Sequence, residues 1–272
     1  FTFSTLKRAG VVLTFGPMSE WDVSQVTSFK ILFNGLSDFN SDLSKWMVGN
    51  VITMESTFES ATSFNSNISQ WNTDRCLDMS SMFSGAIAFN SDISKFSTGK
   101  VTTMFYMFSS ANAFNSEISN WNTQNCTDMD SMFDAATLFN SDISQFSTSK
   151  VTFMALMFYE ATNFNSDISK WDTSNVENFG YMFQSASNFN SDVSLWDVIS
   201  AAKEYFAFVD IFLNAKSFDQ VWCASSWLES PMTSKDFVGT KNAGSMCCVA
   251  GKFFSGLHGA TQASCQECPA GR

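Results

Sequence analysis

Residues that punctuate a chain or carry chemistry are scarce here. Three prolines and 13 glycines among 272 residues exclude a collagen-like or low-complexity chain, which needs them in bulk. The one histidine, His258, sits in a glycine-rich run without a partnered nucleophile. No Gly-x-Ser-x-Gly turn and no phosphate-binding loop occur, so no asymmetric catalytic constellation is expected. No run approaches the roughly 18 apolar residues that span a membrane. The most apolar stretch, Tyr205 to Leu213, is short and holds Asp210. Basic residues are also few, 15 against 26 acidic ones, for a net charge of −11. That sign repels nucleic-acid phosphates and anionic lipid, so neither is expected as a partner. The chain starts at Phe1 without a basic-plus-apolar leader and ends in Cys-Pro-Ala-Gly-Arg, an interrupted motif. A longer natural protein is therefore expected.

What is abundant is Phe, with 30 residues, alongside 14 Met and 8 Trp. The phrase Phe-Asn-Ser-Asp-Ile-Ser, or a close variant, starts at Phe39, Phe64, Phe89, Phe114, Phe139, Phe164 and Phe189, always 25 residues apart. An aromatic head recurs in the same register at Trp21, Trp46, Trp71, Phe96, Trp121, Phe146, Trp171 and Trp196. Five positions on stands Val, or Cys at Cys76 and Cys126, and an almost invariant Phe follows from Phe33 to Phe183. A unit this short buries its apolar face only by stacking on its neighbours. The spacing from Met104 to Phe108 and Ala111 predicts one or two helical turns. Alternation over Phe114, Ser116 and Ile118 predicts a strand, with a second short strand at Val101 and Thr103. The expected architecture is an α/β repeat solenoid of about eight coils with parallel strands roughly 4.8 Å apart, about 40 Å long. Residues 1–20 form an N-terminal cap, 21–222 the array, and 223–272 a cysteine-rich cap leading into a further module. Near Ala201 the register slips, as though four residues were inserted.

Five of the seven cysteines, Cys223, Cys247, Cys248, Cys265 and Cys268, crowd the last fifth. That clustering predicts an oxidising compartment and a disulfide-stapled end. Cys223 with Cys247 and Cys248 with Cys265 is the expected pairing, with Cys268 left for a partner beyond Arg272; spacing alone does not encode connectivity. Zinc ligation by the same cysteines and His258 is the weaker alternative. Cys76 and Cys126 lie two coils apart, about 10 Å, beyond the roughly 7 Å a disulfide tolerates, and read as buried apolar thiols.

Four further features bear on binding. Asn40, Asn65, Asn90, Asn115, Asn140, Asn165 and Asn190 form a column expected to be an internal hydrogen-bonded ladder. Asp42, Asn67, Asp92, Glu117, Asp142, Asp167 and Asp192 form an acidic column, either a solvated face or an oxygen-rich Ca²⁺ surface. Two threonine columns, one at Thr73 to Thr173 and one including Thr27, Thr102, Thr127 and Thr152, serve turns or, as a flat array, an ordered ligand. Asn67-Ile68-Ser69 is a glycosylation sequon; Asn125-Cys126-Thr127 is the weaker one.

The string F-N-x-D-I-S-x-W-D-T-S-x-V-x-x-M-x-x-M-F-x-x-A over about residues 16 to 222 resembles the 25-residue BspA-like surface repeat, which is grouped with the leucine-rich repeats. The resemblance implies a leucine-rich-repeat-like solenoid on a secreted or cell-surface protein, with no catalytic residues to carry over. Cys265-Gln-Glu-Cys268-Pro resembles the opening of ephrin-receptor-like or TNF-receptor-like cysteine-rich modules. Phe96, Phe146 and the core cysteines depart from the repeat as packing variants. The expected function is a non-enzymatic extracellular scaffold for adhesion or recognition of protein or glycan, without a cofactor. A self-assembling fibre or coat is the alternative, and a Ca²⁺- or glycan-binding module stands behind both.

Overall fold

A repeated apolar pattern becomes a fold here by stacking. The computed structural model describes residues 16–201 and 207–218, with the backbone of three short strands further on. Residues 25 apart meet in parallel, through single bridges joining Ser28, Thr53, Asp78, Thr103, Asp128, Phe153 and Asn178 in series. From Ser28 to Asn178 each coil therefore lies on the next in a 25-residue register.

The segment expected to be helical is not a helix. Helical conformation in the described coils is confined to short 3₁₀ turns such as Met18–Glu20. From Met104 to Ala111 the chain instead makes successive three-residue turns: Met107 N–H to Met104 C=O at 3.0 Å, Ser109 to Tyr106 at 3.1 Å, Ala111 to Phe108 at 3.0 Å. The intervening N–H groups point out of the coil. Met104, Tyr106, Phe108 and Ser110 donate to the carbonyls of Asp128, Asp130, Met132 and Asp134 in the following coil, at 2.6–3.0 Å. An α-helix turns every amide inward along its own axis, leaving a neighbouring coil nothing to bond. Residues with positive φ break that geometry at two places per coil, such as Tyr106 (54°) and Ser110 (56°).

The predicted strand at Phe114 is also absent, for a related reason. The Asn115 N–H donates to the side-chain Oδ1 of Asn90, at 2.8 Å, where a strand would use a backbone carbonyl. The predicted strand around Thr103 shrinks to a single bridge per coil, supported by Thr102 N–H to Leu77 C=O at 2.8 Å.

The core runs the length of the stack. Each coil stacks two Phe rings face to face, Phe108 on Phe114 with centroids 3.8 Å apart. Phe108 then stacks on Phe133 at 5.6 Å and Phe114 on Phe139 at 5.9 Å. The series runs from Phe33 and Phe39 to Phe212 and Phe218. Stacked aromatic pairs add about 0.5–1.5 kcal/mol beyond their area burial. Met104, Met107, Val101, Ala111 and Ile118 fill the rest, fully buried, while Val26, Leu32 and Leu36 in the first coil are partly buried. Tryptophan does more than fill: the Trp121 indole N–H donates to Ile93 C=O at 3.2 Å, and Trp46, Trp71, Trp171 and Trp196 repeat this contact one coil back. The four-residue insertion is absorbed before Ala207. Phe179 N–H bonds Ala207 C=O, 28 residues on rather than 24, and Phe183 stacks on Phe212 at 5.6 Å.

Beyond the stack, Met246–Cys248, Lys252–Phe254 and Cys265–Glu267 pair as antiparallel strands in that order. The disulfides expected among Cys223, Cys247, Cys248, Cys265 and Cys268, most of the N-terminal cap and His258 lie outside the described residues. Cys76 and Cys126 are free and buried.

Candidate functional site

The coil's surface divides into columns, and most of the conspicuous ones are consumed by stacking. In the asparagine column, the N–H groups of Asn65, Asn90, Asn115, Asn140, Asn165 and Asn190 donate to Oδ1 of the asparagine 25 residues earlier, at 2.7–2.8 Å. Ser66, Ser91, Ser116 and Ser141 add hydroxyl bonds to the same oxygens. This column lies at the surface, not in the interior: all but half-buried Asn190 are exposed. The side-chain oxygens of Asn40, Asn65, Asn90, Asn115, Asn140 and Asn165 are each occupied by the next asparagine's backbone.

The acidic column caps turns. Oδ1 of Asp42, Asp92, Asp142, Asp167 and Asp192 accepts the N–H two residues on at 2.9 Å, and Glu117 Oε1 does so at 2.8 Å. Hydrogen bonds from those serines hold Asp42, Asp92, Glu117 and Asp167 below the usual carboxylate range. Asn67 performs the same act, accepting from Ser69 N–H at 3.0 Å, which is why an amide can replace the acid there. Asn67 is exposed while Ile68 beside it is buried. Among the described residues no three His, Cys, Asp or Glu side chains are placed to hold a metal ion.

One threonine column is removed from the surface altogether. Thr73, Thr98, Thr123, Thr148 and Thr173 are buried and donate to a carbonyl of the next coil at 2.8–3.1 Å. They present no array to a ligand. The other column is largely exposed, and Thr102, Thr127 and Thr152 donate to the carbonyl 25 residues back.

What remains is the outer surface of the turn segment, and here the repeat varies. The position of Phe105 holds Lys30, Glu55, Ser80, Asp130, Ala155 and Gly180 in the other coils. That of Tyr106 holds Ile31, Ser56, Ser81, Ser131, Leu156 and Tyr181, and that of Ser109 holds Asn34, Glu59, Ser84, Asp134, Tyr159 and Gln184. The serine after each ladder asparagine, by contrast, is unchanged from Ser41 to Ser191. Backbone hydrogen bonds carry the stack along the turn segment, so its outward side chains are released from structural duty.

That freedom is used for large apolar groups. Ile31, Ile52, Leu77, Phe105, Phe153 and Tyr181 stand exposed on this face, between 37% and 45%. Phe105 meets Tyr106 edge-on, with ring centroids 4.4 Å apart. Ile31, Tyr106, Leu156 and Tyr181 have φ of 54° to 60°, where a side chain other than Gly, Asn or Asp costs about 1–2 kcal/mol. Serine fills the same place at Ser56, Ser81 and Ser131. Bulky residues here bring backbone strain and little burial.

Carboxylates interleave with the rings. Asp128 sits between Thr103 and Phe153 in the bridge series, and Ser131 Oγ donates to neighbouring Asp130 at 2.7 Å. Asp134 accepts from Ser109 Oγ at 3.2 Å. Burial raises Asp128 and Asp130, and pushes Asp134 up to about 6 with help from the charges of Glu160 and Asp130. No cation neutralises them: among the described residues the one ion pair is Lys30–Glu55, at 2.6 Å. No residue recurs in every coil along this face, so the repeat pattern in the sequence does not mark it.

Two overlapping stretches, residues 4–121 and 111–227, match the family described as "Mycoplasma protein of unknown function, DUF285". Comparison with curated proteins and with solved structures returns no match.

Proposed function

The chain belongs to the family of the Mycoplasma proteins of unknown function, DUF285, and on that footing we propose that it is a non-enzymatic recognition scaffold that works outside the cell or at its surface. The coil stack is then a leucine-rich-repeat-like parallel solenoid of the BspA-like kind, closed by a disulfide-stapled cap. The parallel bridges at 25-residue steps support that architecture. The cysteine cluster and the exposed Asn67 sequon support the compartment. The observation that carries the function is the contrast between columns: outward residues of the turn segment change from coil to coil and include exposed Phe and Tyr, while the ladder columns stay constant. Exposed aromatic patches on a rigid frame are the usual anchors of protein interfaces.

The test is binding of the labelled full chain to intact cells and secreted matrix of the source organism. Phe105→Ser with Phe153→Ser should abolish binding, whereas Asp92→Asn with Asp142→Asn, on the acidic column, should leave it intact. Equal binding by both double variants would overturn the reading.

A further inference from the structure

Four consecutive coils, from Thr103 to Tyr181, carry the densest part of the variable face, and its chemistry selects a partner. Phe105 and Tyr106 stand at one end and Phe153, Leu156 and Tyr181 at the other. Between them Ser131 is fully buried and Asp128 and Asp130 are half-buried, so the intervening coil carries carboxylates and no ring at these positions. Two rungs separate Phe105 from the coil of Phe153, about 10 Å at parallel-strand spacing.

We propose that this patch binds an arginine-rich polypeptide segment, with guanidinium groups lying on the aromatic rings and bonding to Asp128 and Asp130. This deepens the recognition reading and rests on it. The fit is electrostatic and geometric together. A guanidinium is planar, stacks on aromatic faces and bonds carboxylates in fork geometry. The carboxylates of Asp128, Asp130 and Asp134 have lost part of their hydration, and among the described residues no cation pairs with them; an incoming guanidinium supplies one. A second copy of the chain would bring another surface with net charge −11. Nucleic acid and anionic lipid share the wrong sign. A neutral glycan would stack on the rings but leave the half-buried carboxylates without a counter-charge.

The probe is a twelve-residue peptide alternating arginine with glycine and serine, titrated onto the full chain by fluorescence anisotropy, with a glutamate-for-arginine peptide as control. The arginine peptide should bind and the glutamate peptide should not. Phe105→Ser with Phe153→Ser should weaken binding about thirtyfold, the loss of two cation–π contacts at the upper end of their exposed range. Asp128→Asn with Asp130→Asn should weaken it at least as much. Asp92→Asn with Asp142→Asn removes the same charge from the acidic column and should change it less than about twofold, since exposed distant charges are screened. Equal weakening by both Asp pairs would reduce the attraction to net charge and overturn the proposal. So would full affinity in the Phe variant with its melting temperature unchanged. Absence of peptide binding, while the Phe variant still loses binding to cells, would overturn the arginine assignment and leave the recognition reading standing.

Discussion

Tyr181 gives the sharpest test of the claim that this face carries strain. Its φ is 60°, its side chain is 37% exposed, and its N–H bonds Val209 C=O at 2.7 Å. Tyr181→Ala and Tyr181→Gly both remove the ring, so their difference isolates the backbone. Ordinarily glycine is the less stable of the two by about 0.5–1 kcal/mol, because it loses more freedom on folding. In the left-handed region alanine carries a penalty of about 1–2 kcal/mol that glycine escapes. The balance reverses the sign: the glycine variant should be the more stable by about 0.5–1 kcal/mol. At about 2–4 °C per kcal/mol for a domain of this size, that is roughly 1–4 °C in Tm. Differential scanning calorimetry of the two variants, side by side with Ser185→Ala and Ser185→Gly at the second left-handed position (φ 60°), measures it. An alanine variant as stable as the glycine variant at both sites would refute the strain argument and weaken the case that these bulky residues are kept for binding.

Other expectations follow from the same structure. Burial and neighbouring acids raise Asp134 to about 6 in the fold, above its unfolded value of 3.8. Its protonated form is therefore favoured in the native state, and stability falls as pH rises from about 4 toward 7; Asp134→Asn should flatten that slope in urea titrations and add at most about 1 kcal/mol at neutral pH, screening included. Asn115→Ala strips the acceptor used by Asn140 N–H and Ser141 Oγ and should cost about 1–3 kcal/mol in denaturant unfolding, whereas Asn115→Asp, which keeps the oxygen, should cost less. Burial pushes the Cys76 thiol up to about 11 and the Cys126 thiol to about 12. Iodoacetamide at pH 8 should therefore leave both unmodified until the chain is denatured, as mass spectrometry of alkylated peptides would show.

Much of the stack was legible in the sequence because stacking is what the repeat encodes. Phe108, Phe114, Ile118 and Val101 recur because each must meet its own copy one coil away, and recurrence is visible by inspection. The local backbone was not legible. Met104, Phe108 and Ala111 have helical spacing, yet the segment turns every second amide outward. The sequence signs are faint: Gly35, Gly85 and Asn214 mark the second left-handed position in three coils, while serine stands at the first in Ser56, Ser81 and Ser131. The asparagine column could be seen as a ladder, but its exposure could not: an oxygen bonded to the next coil's backbone needs no burial. The face from Phe105 to Tyr181 stayed hidden for the opposite reason to the core. Its residues share no pattern, and only the stacking of the coils brings them to one side.

The register rule has a consequence for inheritance. Because Phe179 reaches past four extra residues to bond Ala207, and because Trp171 is followed by Trp196, on which it stacks, where Trp71 and Trp121 are followed by Phe96 and Phe146, a coil accepts more than one kind of neighbour. A gene encoding such a chain can gain or lose 25 codons in frame and still specify a stack in which every bond finds its counterpart. Each such event would add or delete one row of the variable face. Copy number thereby becomes a heritable length scale for the ligand, adjustable without any new solution to the folding problem.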